Sequence, residues 1–387
     1  MSNKRLCFVT TISKTMDWFV SDSTRNLSNN GYDITLISNM DPGFAERNEY
    51  AECISVKMER GIKAGDIVPT IYRLYKIFKK GNFDIVQYTT PNAAFYSSIA
   101  GWLAGVPIRL YSQWGIRYVG LQGVKRIIFK LVEKCTCMLS TDIREVSPMN
   151  RELAISEKLC QPEKIKVIGK GGTIGIDLAL CDLSKKDLWK TEIRKQYNIP
   201  EKAFIYGYVG RINEDKGINE LIEAFKNLSE KDDSIYLMLV GMYDESNEIK
   251  RELYEWAKKE IRVIFTGNVP ANQVYRYMGA FDVLTHPTYR EGFGKVLQEA
   301  MGMALPIITT NVPGPCEVVE ENESGILVES HDTAGLEKEM QKLKENPQIC
   351  SKLGEEARRQ AEQYYERSKM LKNILTDLNE LVGKGQK

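Results

Sequence analysis

The chain is poor in histidine, has no long apolar run and carries almost no net charge. Its only histidines, His286 and His331, both lie in the second half. Histidine acid–base chemistry is therefore excluded from the first half. No stretch reaches the ~18 consecutive apolar residues that a spanning helix needs. The start, "MSNKRLCFVTTIS", lacks the apolar length and small-residue cleavage site of a signal peptide, so the expected location is the cytoplasm. Eight cysteines are scattered without CxxC spacing, which argues against a disulfide framework and a zinc site. Asp-x-Asp does not occur, and no internal repeat is visible. The net charge of +1 hides an asymmetry. Residues 1–180 hold 24 Lys and Arg against 17 Asp and Glu, whereas the remainder holds 29 against 35. A basic first half suits an anionic partner such as a membrane surface; no nucleic-acid partner is expected.

What is present is an α/β rhythm. A chain of 387 residues exceeds one ordinary core, and two domains are expected. "RLCFVTTIS", "YDITLIS", "FDIVQYTT", "PIRLYSQ", "DIREVS" and "KIKVIG" are near-continuous apolar runs, the signature of strands buried on both faces. Helical patterns separate them, including 67–80 and 92–104. After a charged connection near residue 180 the rhythm repeats in "FIYGYVGRI", "IYLMLVG", "RVIFTGNV", "DVLTHPT", "LPIITTN" and "GILVE". The fold class expected is α/β, with two Rossmann-like doubly wound domains facing a cleft. They span 1–180 and 181–364. Residues 365–387 form a terminal helix whose Met370, Ile374, Leu375 and Leu378 suit docking back on the first domain.

Two segments combine charge with turns. In "EGFGKVLQEAMG" (291–302), Gly292 and Gly294 permit a tight strand-to-helix turn that presents backbone N–H groups to an anion. Glu291 precedes the turn and Glu299 follows it inside the helix. Carboxylates accept paired hydrogen bonds, so each suits a sugar diol. In "YVGRINEDKGINELIEAF", Arg211 ends a strand and Lys216 precedes a helix. Both cations could meet one diphosphate, Arg as a fork and Lys as a point charge. Taken singly, each of these residues could equally be a solvated surface charge.

Together they resemble the donor site of retaining GT-B glycosyltransferases of family 4. "GRINEDKG", "GNVP", "EGFGKVLQEAMGMALPIITTNVPGPCEVV" and "SGILV" fall in family order. "TTPNAAFYSSIAGWLAGVPIRLYSQWGIRY" and "IGKGGTIGID" are similar to the branch that builds capsular and surface polysaccharides. The resemblance implies that Arg211 and Lys216 neutralise the donor diphosphate, Glu299 holds the ribose and Glu291 the transferred sugar. It further implies that Gly292, Phe293, Gly294, Lys295 and Val296 face sugar and phosphates, and that Asn268 and Val269 offer backbone to the base. Arg211, Lys216 and Glu291 would be the catalytic set. No metal or other cofactor is implied; the metal-binding Asp-x-Asp belongs to the other large glycosyltransferase fold. The implied partners are a nucleotide sugar, namely a UDP-linked hexose or N-acetylhexosamine, and a polyprenyl-linked saccharide at the inner face of the membrane.

The chain also departs from that pattern. Gln87, Thr89, Gln113 and Trp114 stand where relatives often carry histidine. Thr90, Gln113, Arg117, Gly171 and Gly172 remain acceptor-side candidates. His286, before a proline at a strand end, reads as structural. "GKGGTIG" (169–175) has GxGxxxG spacing and no acidic residue where a dinucleotide ribose would need one, so an NAD site is not expected. "VKRIIFKLVEKCTCML" (124–139) places Val124, Ile127, Ile128, Leu131, Val132 and Cys135 on one helical stripe beside Lys125, Arg126, Lys130 and Lys134. Such a helix either lies on anionic lipid or packs its stripe on the sheet. The expected activity is metal-independent, retaining sugar transfer to a polyprenyl-linked acceptor. Transfer to a small soluble acceptor, a noncatalytic nucleotide-sugar-binding protein and a GT-B-fold UDP-sugar epimerase are the alternatives.

Overall fold

A computed structural model describes residues 4–58, 64–245 and 247–385. The first three residues of the amino-terminal run and the last two of the carboxyl-terminal stretch lie outside the described residues. The chain divides into two compact units, Met1–Ile174 with Ser368–Lys387, and Gly175–Arg367.

In the first unit the strands are β1 (Lys4–Ile12), β2 (Tyr32–Asn39), β3 (Glu52–Ser55), β4 (Ile85–Tyr88), β5 (Ile108–Gln113), β6 (Asp142–Glu145) and β7 (Ile165–Val167). They form a parallel sheet in the order β3-β2-β1-β4-β5-β6-β7. Leu6, Cys7, Phe8 and Val9 are buried in succession, because helices cover both faces of β1. The edge strand β3, "ECIS", is the one the apolar-run criterion passes over, since it is short and only half buried. The helices expected at 67–80 and 92–104 are Ala64–Gly81 and Pro91–Ala104. The second starts on a proline and stops at Gly105 with φ 73°.

Residues 368–385 belong to this first unit. Leu378, Leu381 and Val382 enter the cluster formed by Leu6, Phe8 and Leu36. Arg144 forks onto Asp377 at 2.7 and 3.0 Å, with side chains only 7% and 13% exposed. Removing one partner of so buried a pair costs about 3–5 kcal/mol, so this ion pair fixes the helix in place.

In the second unit β8 (Phe204–Val209), β9 (Ile235–Val240), β10 (Val263–Gly267), β11 (Val283–His286), β12 (Ile307–Thr310) and β13 (Gly325–Val328) pair in parallel. Their order is β10-β9-β8-β11-β12-β13. Each sheet thus reverses its winding once, at β1/β4 and at β8/β11. Ligands of doubly wound sheets bind beyond the carboxyl ends of the strands at such a point.

Candidate active site

Arg211 and Lys216 follow β8, and Glu291 follows β11, so the reversal in the second sheet brings sequence-distant charges together. Gly217 makes the approach possible. At φ 67°, a Cβ there would lie 1.9 Å from the Pro287 carbonyl oxygen, so the turn after Lys216 presses on the chain leaving β11. Lys216 Nζ reaches Glu291 Oε2 as an ion pair, with the side chains 14% and 26% exposed. Burial alone would raise the Glu291 carboxyl, but Lys216 and His286 outweigh it and hold it well below the usual carboxylate range. His286 is buried, its ring stacked on Tyr208 with centroids 5.4 Å apart and planes 10° apart. Its Nε2 lies 3.8 Å from Glu291 Oε2, beyond hydrogen-bond distance. Burial pushes its pKa down, so the ring is neutral at pH 7.

The other expected donor-site cations face carboxylates too. The exposed Arg211 guanidinium donates to Asp244 at 2.7 Å, which also accepts from Asn213 at 3.2 Å. The neighbouring Arg290, which the sequence reading does not single out, donates to Asp215 at 2.5 Å. Lys295 Nζ is 3.7 Å from Glu299, and the Tyr275 hydroxyl lies 3.4 Å from the same carboxylate. Burial lifts the Glu299 carboxyl above its ordinary value, with Lys295 and Tyr275 opposing. The two glutamates are therefore pushed in opposite directions. This difference comes from how closely a cation approaches each of them.

The turn between them is built for close packing. Gly294, at φ 93°, starts the helix Lys295–Gly302, and no side chain caps that helix. Phe293 is buried edge-on against Tyr365, centroids 5.9 Å apart. Gly314 would carry a Cβ 3.0 Å from the carbonyl oxygens of Glu291 and Gly292, so only glycine lets that loop close on this one. Val296 lies half-buried in the first turn of the helix. Asn268 and Val269 follow β10 at the sheet edge. At the usual strand spacing they sit about 10 Å from the β8 end.

Residues that sequence reasoning missed are Asp244, Asn213, Asp215, Tyr208 and Tyr275. Asp244 had no local signal: it lies just beyond β9, and the strand order is what places that strand beside β8. Tyr208 and Tyr275 had none, because each reads as an ordinary core aromatic.

The acceptor-side candidates lie in the first unit. Thr90 sits at the β1/β4 reversal with φ 65°, its hydroxyl bonded to the Thr11 hydroxyl at 2.7 Å and accepting from the Thr11 amide at 3.1 Å. Gln113 is fully buried and donates to Glu133 at 2.5 Å. Arg117 is exposed and lies over the Phe129 ring, 4.7 Å from its centroid. The Gly171 and Gly172 amides donate to the Ile168 and Val146 carbonyls. A cavity opens beside this group, lined by Phe19, Gln87, Ser112, Trp114, Gly172 and Ile374 among others.

The helix foreseen at 124–139 is Gly123–Leu139, and it packs through Glu133, Thr136 and Cys137. Glu133 bonds the Tyr111 hydroxyl and the Gln113 amide. Most of the helix's apolar stripe faces outward: Val124 is 71% exposed, Ile127 60%, Ile128 49% and Leu131 61%, while Val132 and Cys135 are half-buried. Among the described residues no helix is long and apolar enough to cross a membrane. Among them, too, no group of three or more His, Cys, Asp or Glu is placed to hold a metal ion.

Two doubly wound parallel sheets, one after the other in the chain, make the GT-B fold. Solved structures agree on the fold. The HepE protein of Anabaena, crystallised with UDP and glucose, superposes with a TM-score of 0.80 over 97% of this chain and 99% of that one, at 19% identity. Residues 5–143 match the glycosyl transferase 4-like family and residues 190–360 the glycosyl transferases group 1 family. Each half of the chain thus matches a glycosyltransferase family, and the chain is a glycosyltransferase that uses a nucleotide sugar. Among curated relatives, the capsular polysaccharide biosynthesis glycosyltransferase CapM of Staphylococcus aureus is 29% identical over 94% of this chain and 93% of its own. The UDP-Gal:alpha-D-GlcNAc-diphosphoundecaprenol alpha-1,3-galactosyltransferase of Escherichia coli is 26% identical over 68% and 67%.

Proposed function

We propose that this enzyme transfers a hexose or N-acetylhexosamine from its UDP derivative to a polyprenyl-diphosphate-linked saccharide, with retention and without a metal, in surface polysaccharide synthesis. The observation that carries the reading is the Lys216–Glu291 pair at the β8/β11 reversal, beside Arg211 and the Lys295–Glu299 pair. Each of these cations is neutralised by a carboxylate. A diphosphate brings charge enough to draw Lys216 and Arg211 onto itself, which frees Glu291 for sugar hydroxyls. Glu299 then takes the ribose diol.

In this reading the acceptor hydroxyl attacks the anomeric carbon from the face that the diphosphate leaves. The C–O bond to the diphosphate breaks as the new one forms, and the acceptor proton passes to a diphosphate oxygen. Arg211, Lys216 and the uncapped helix at Lys295 stabilise the leaving charge, the role a metal fills elsewhere. The CapM and Escherichia coli relatives support the substrate class by what their names say they make and use.

The exposed stripe of the helix Gly123–Leu139 supports membrane association. Four large apolar side chains in water along one helix face are unfavourable unless something covers them. Lys125 and Lys134 flank them, so an anionic bilayer fits, with the helix lying in the headgroup region at the cytoplasmic face. A thermal-shift panel with UDP, GDP, ADP and several UDP-sugars in EDTA tests the donor assignment. Stabilisation by UDP compounds alone is expected; equal response to all three nucleotides, or a response only with added divalent cation, would contradict it.

A further inference from the structure

His286 is a buried imidazole with no hydrogen bond at either ring nitrogen. Buried polar groups normally have partners, so its place beside the donor site needs a reason. The residue is not free to find one elsewhere. Its carbonyl accepts from the Thr288 amide at 2.9 Å and the Thr309 hydroxyl at 2.8 Å. Its ring is held by the stacked Tyr208, whose own hydroxyl donates to the Arg211 carbonyl at 2.7 Å. The polar group its Nε2 approaches is Glu291 Oε2, 3.8 Å away, and that oxygen is already taken by Lys216.

The arrangement changes once an anion claims Lys216. Glu291 would then be a largely buried carboxylate, deprived of its cation, next to a negatively charged donor. An approach of about 0.6–1.1 Å from the present 3.8 Å would bring Nε2 to the ~2.7–3.2 Å of a hydrogen bond. We propose that His286 is a positioning residue, whose Nε2–H takes over the Glu291 carboxylate when the donor diphosphate draws Lys216 away, keeping that carboxylate aimed at the transferred sugar. No proton is transferred and the histidine does not touch the donor. The proposal rests on the donor-site reading given above.

With two histidines in the chain, selective labelling resolves each ring. In a long-range proton–nitrogen spectrum of 15N-histidine-labelled full-length protein, the exposed His331 is the reference, its side chain 63% exposed. His286 is expected as the Nε2–H tautomer, and saturating UDP in EDTA should shift its Nε2–H proton downfield and slow its exchange. UDP binding that leaves the His286 signals in place, or a proton on Nδ1, would overturn the proposal. Kinetics give a second readout, with UDP release from the most stabilising UDP-sugar as the assay. His286→Phe keeps a stacked ring without the donor, and should lower kcat about tenfold while donor KM stays within about threefold. His286→Gln restores an N–H donor and should recover most of the loss; a Gln variant no better than Phe would count against the proposal. Failure of the wild type to bind UDP at all is a different result, because it removes the donor-site reading itself.

Discussion

The two sheets share one winding and carry opposite chemistry at the place where it reverses. Beyond β8 and β11 stand Arg211, Lys216 and Glu291, cations and carboxylate kept in pairs. At the ends of β1 and β4 stand Thr10, Thr11 and Thr90, whose hydroxyls bond one another or backbone carbonyls, and Thr89, whose buried hydroxyl has no partner among the described residues. Topology therefore fixes where a ligand can sit, and the side chains just past the strand ends decide which ligand it is. A self-neutralised cluster of charges suits a diphosphate that can displace the internal partners. A hydroxyl-lined end suits a neutral saccharide, whose hydroxyls form hydrogen bonds of either sense.

Substitutions at the two ends should separate these roles. The largest effect is expected for Lys216→Ala, which removes a diphosphate cation and leaves Glu291 without its partner. UDP affinity should fall about a hundredfold and turnover about a thousandfold, measured by calorimetry and by UDP release. Next comes the outward helix of the first unit. Two buried aliphatic side chains are worth about 3 kcal/mol of transfer free energy, so Ile127→Glu with Leu131→Glu should weaken binding to anionic vesicles about a hundredfold. UDP affinity in that variant should be unchanged; a parallel loss would mean that the helix supports the fold rather than the membrane.

Glu299→Ala should lower nucleotide affinity about tenfold, through loss of a charge-assisted hydrogen bond. If instead it lowered turnover with no change in nucleotide affinity, the ribose assignment would be wrong. The smallest effect is on stability against pH. The Glu291 carboxyl is held below its ordinary value in the folded state, so its contribution is complete above the unfolded pKa near 4.5 and is lost as pH falls further. Glu299 is held above its ordinary value, so its ionisation costs stability as pH rises from about 4.5 through the raised folded value. Urea unfolding of Glu291→Gln and Glu299→Gln from pH 4 to 7 should give differences from wild type that change with pH in opposite senses.

Some of this is legible in the sequence and some is not, for physical reasons. Strands such as Ile235–Val240 announce themselves because burial on both faces demands a continuous apolar run. The edge strand Glu52–Ser55 does not, since half its side chains need not be apolar. Arg211, Lys216, Glu291 and Glu299 stood out because charges flanking glycine turns are visible as local patterns. Their partners Asp244 and Asp215 come from loops whose proximity depends on strand order, which no local window contains. The helix Gly123–Leu139 was clear as a helix, yet its facing was open. Burial of Glu133 under Tyr111 and Gln113 turns the apolar stripe outward, against the usual expectation for an amphipathic helix.

The central claim is that the paired charges beyond β8 and β11 are the diphosphate site and need no metal. Calorimetric titration of UDP in EDTA, into wild type and into Lys216→Ala, tests it most directly. Micromolar-range binding to wild type, weakened about a hundredfold in the variant, is the predicted result. Equal binding to both proteins, or binding to wild type only after a divalent cation is added, would contradict it.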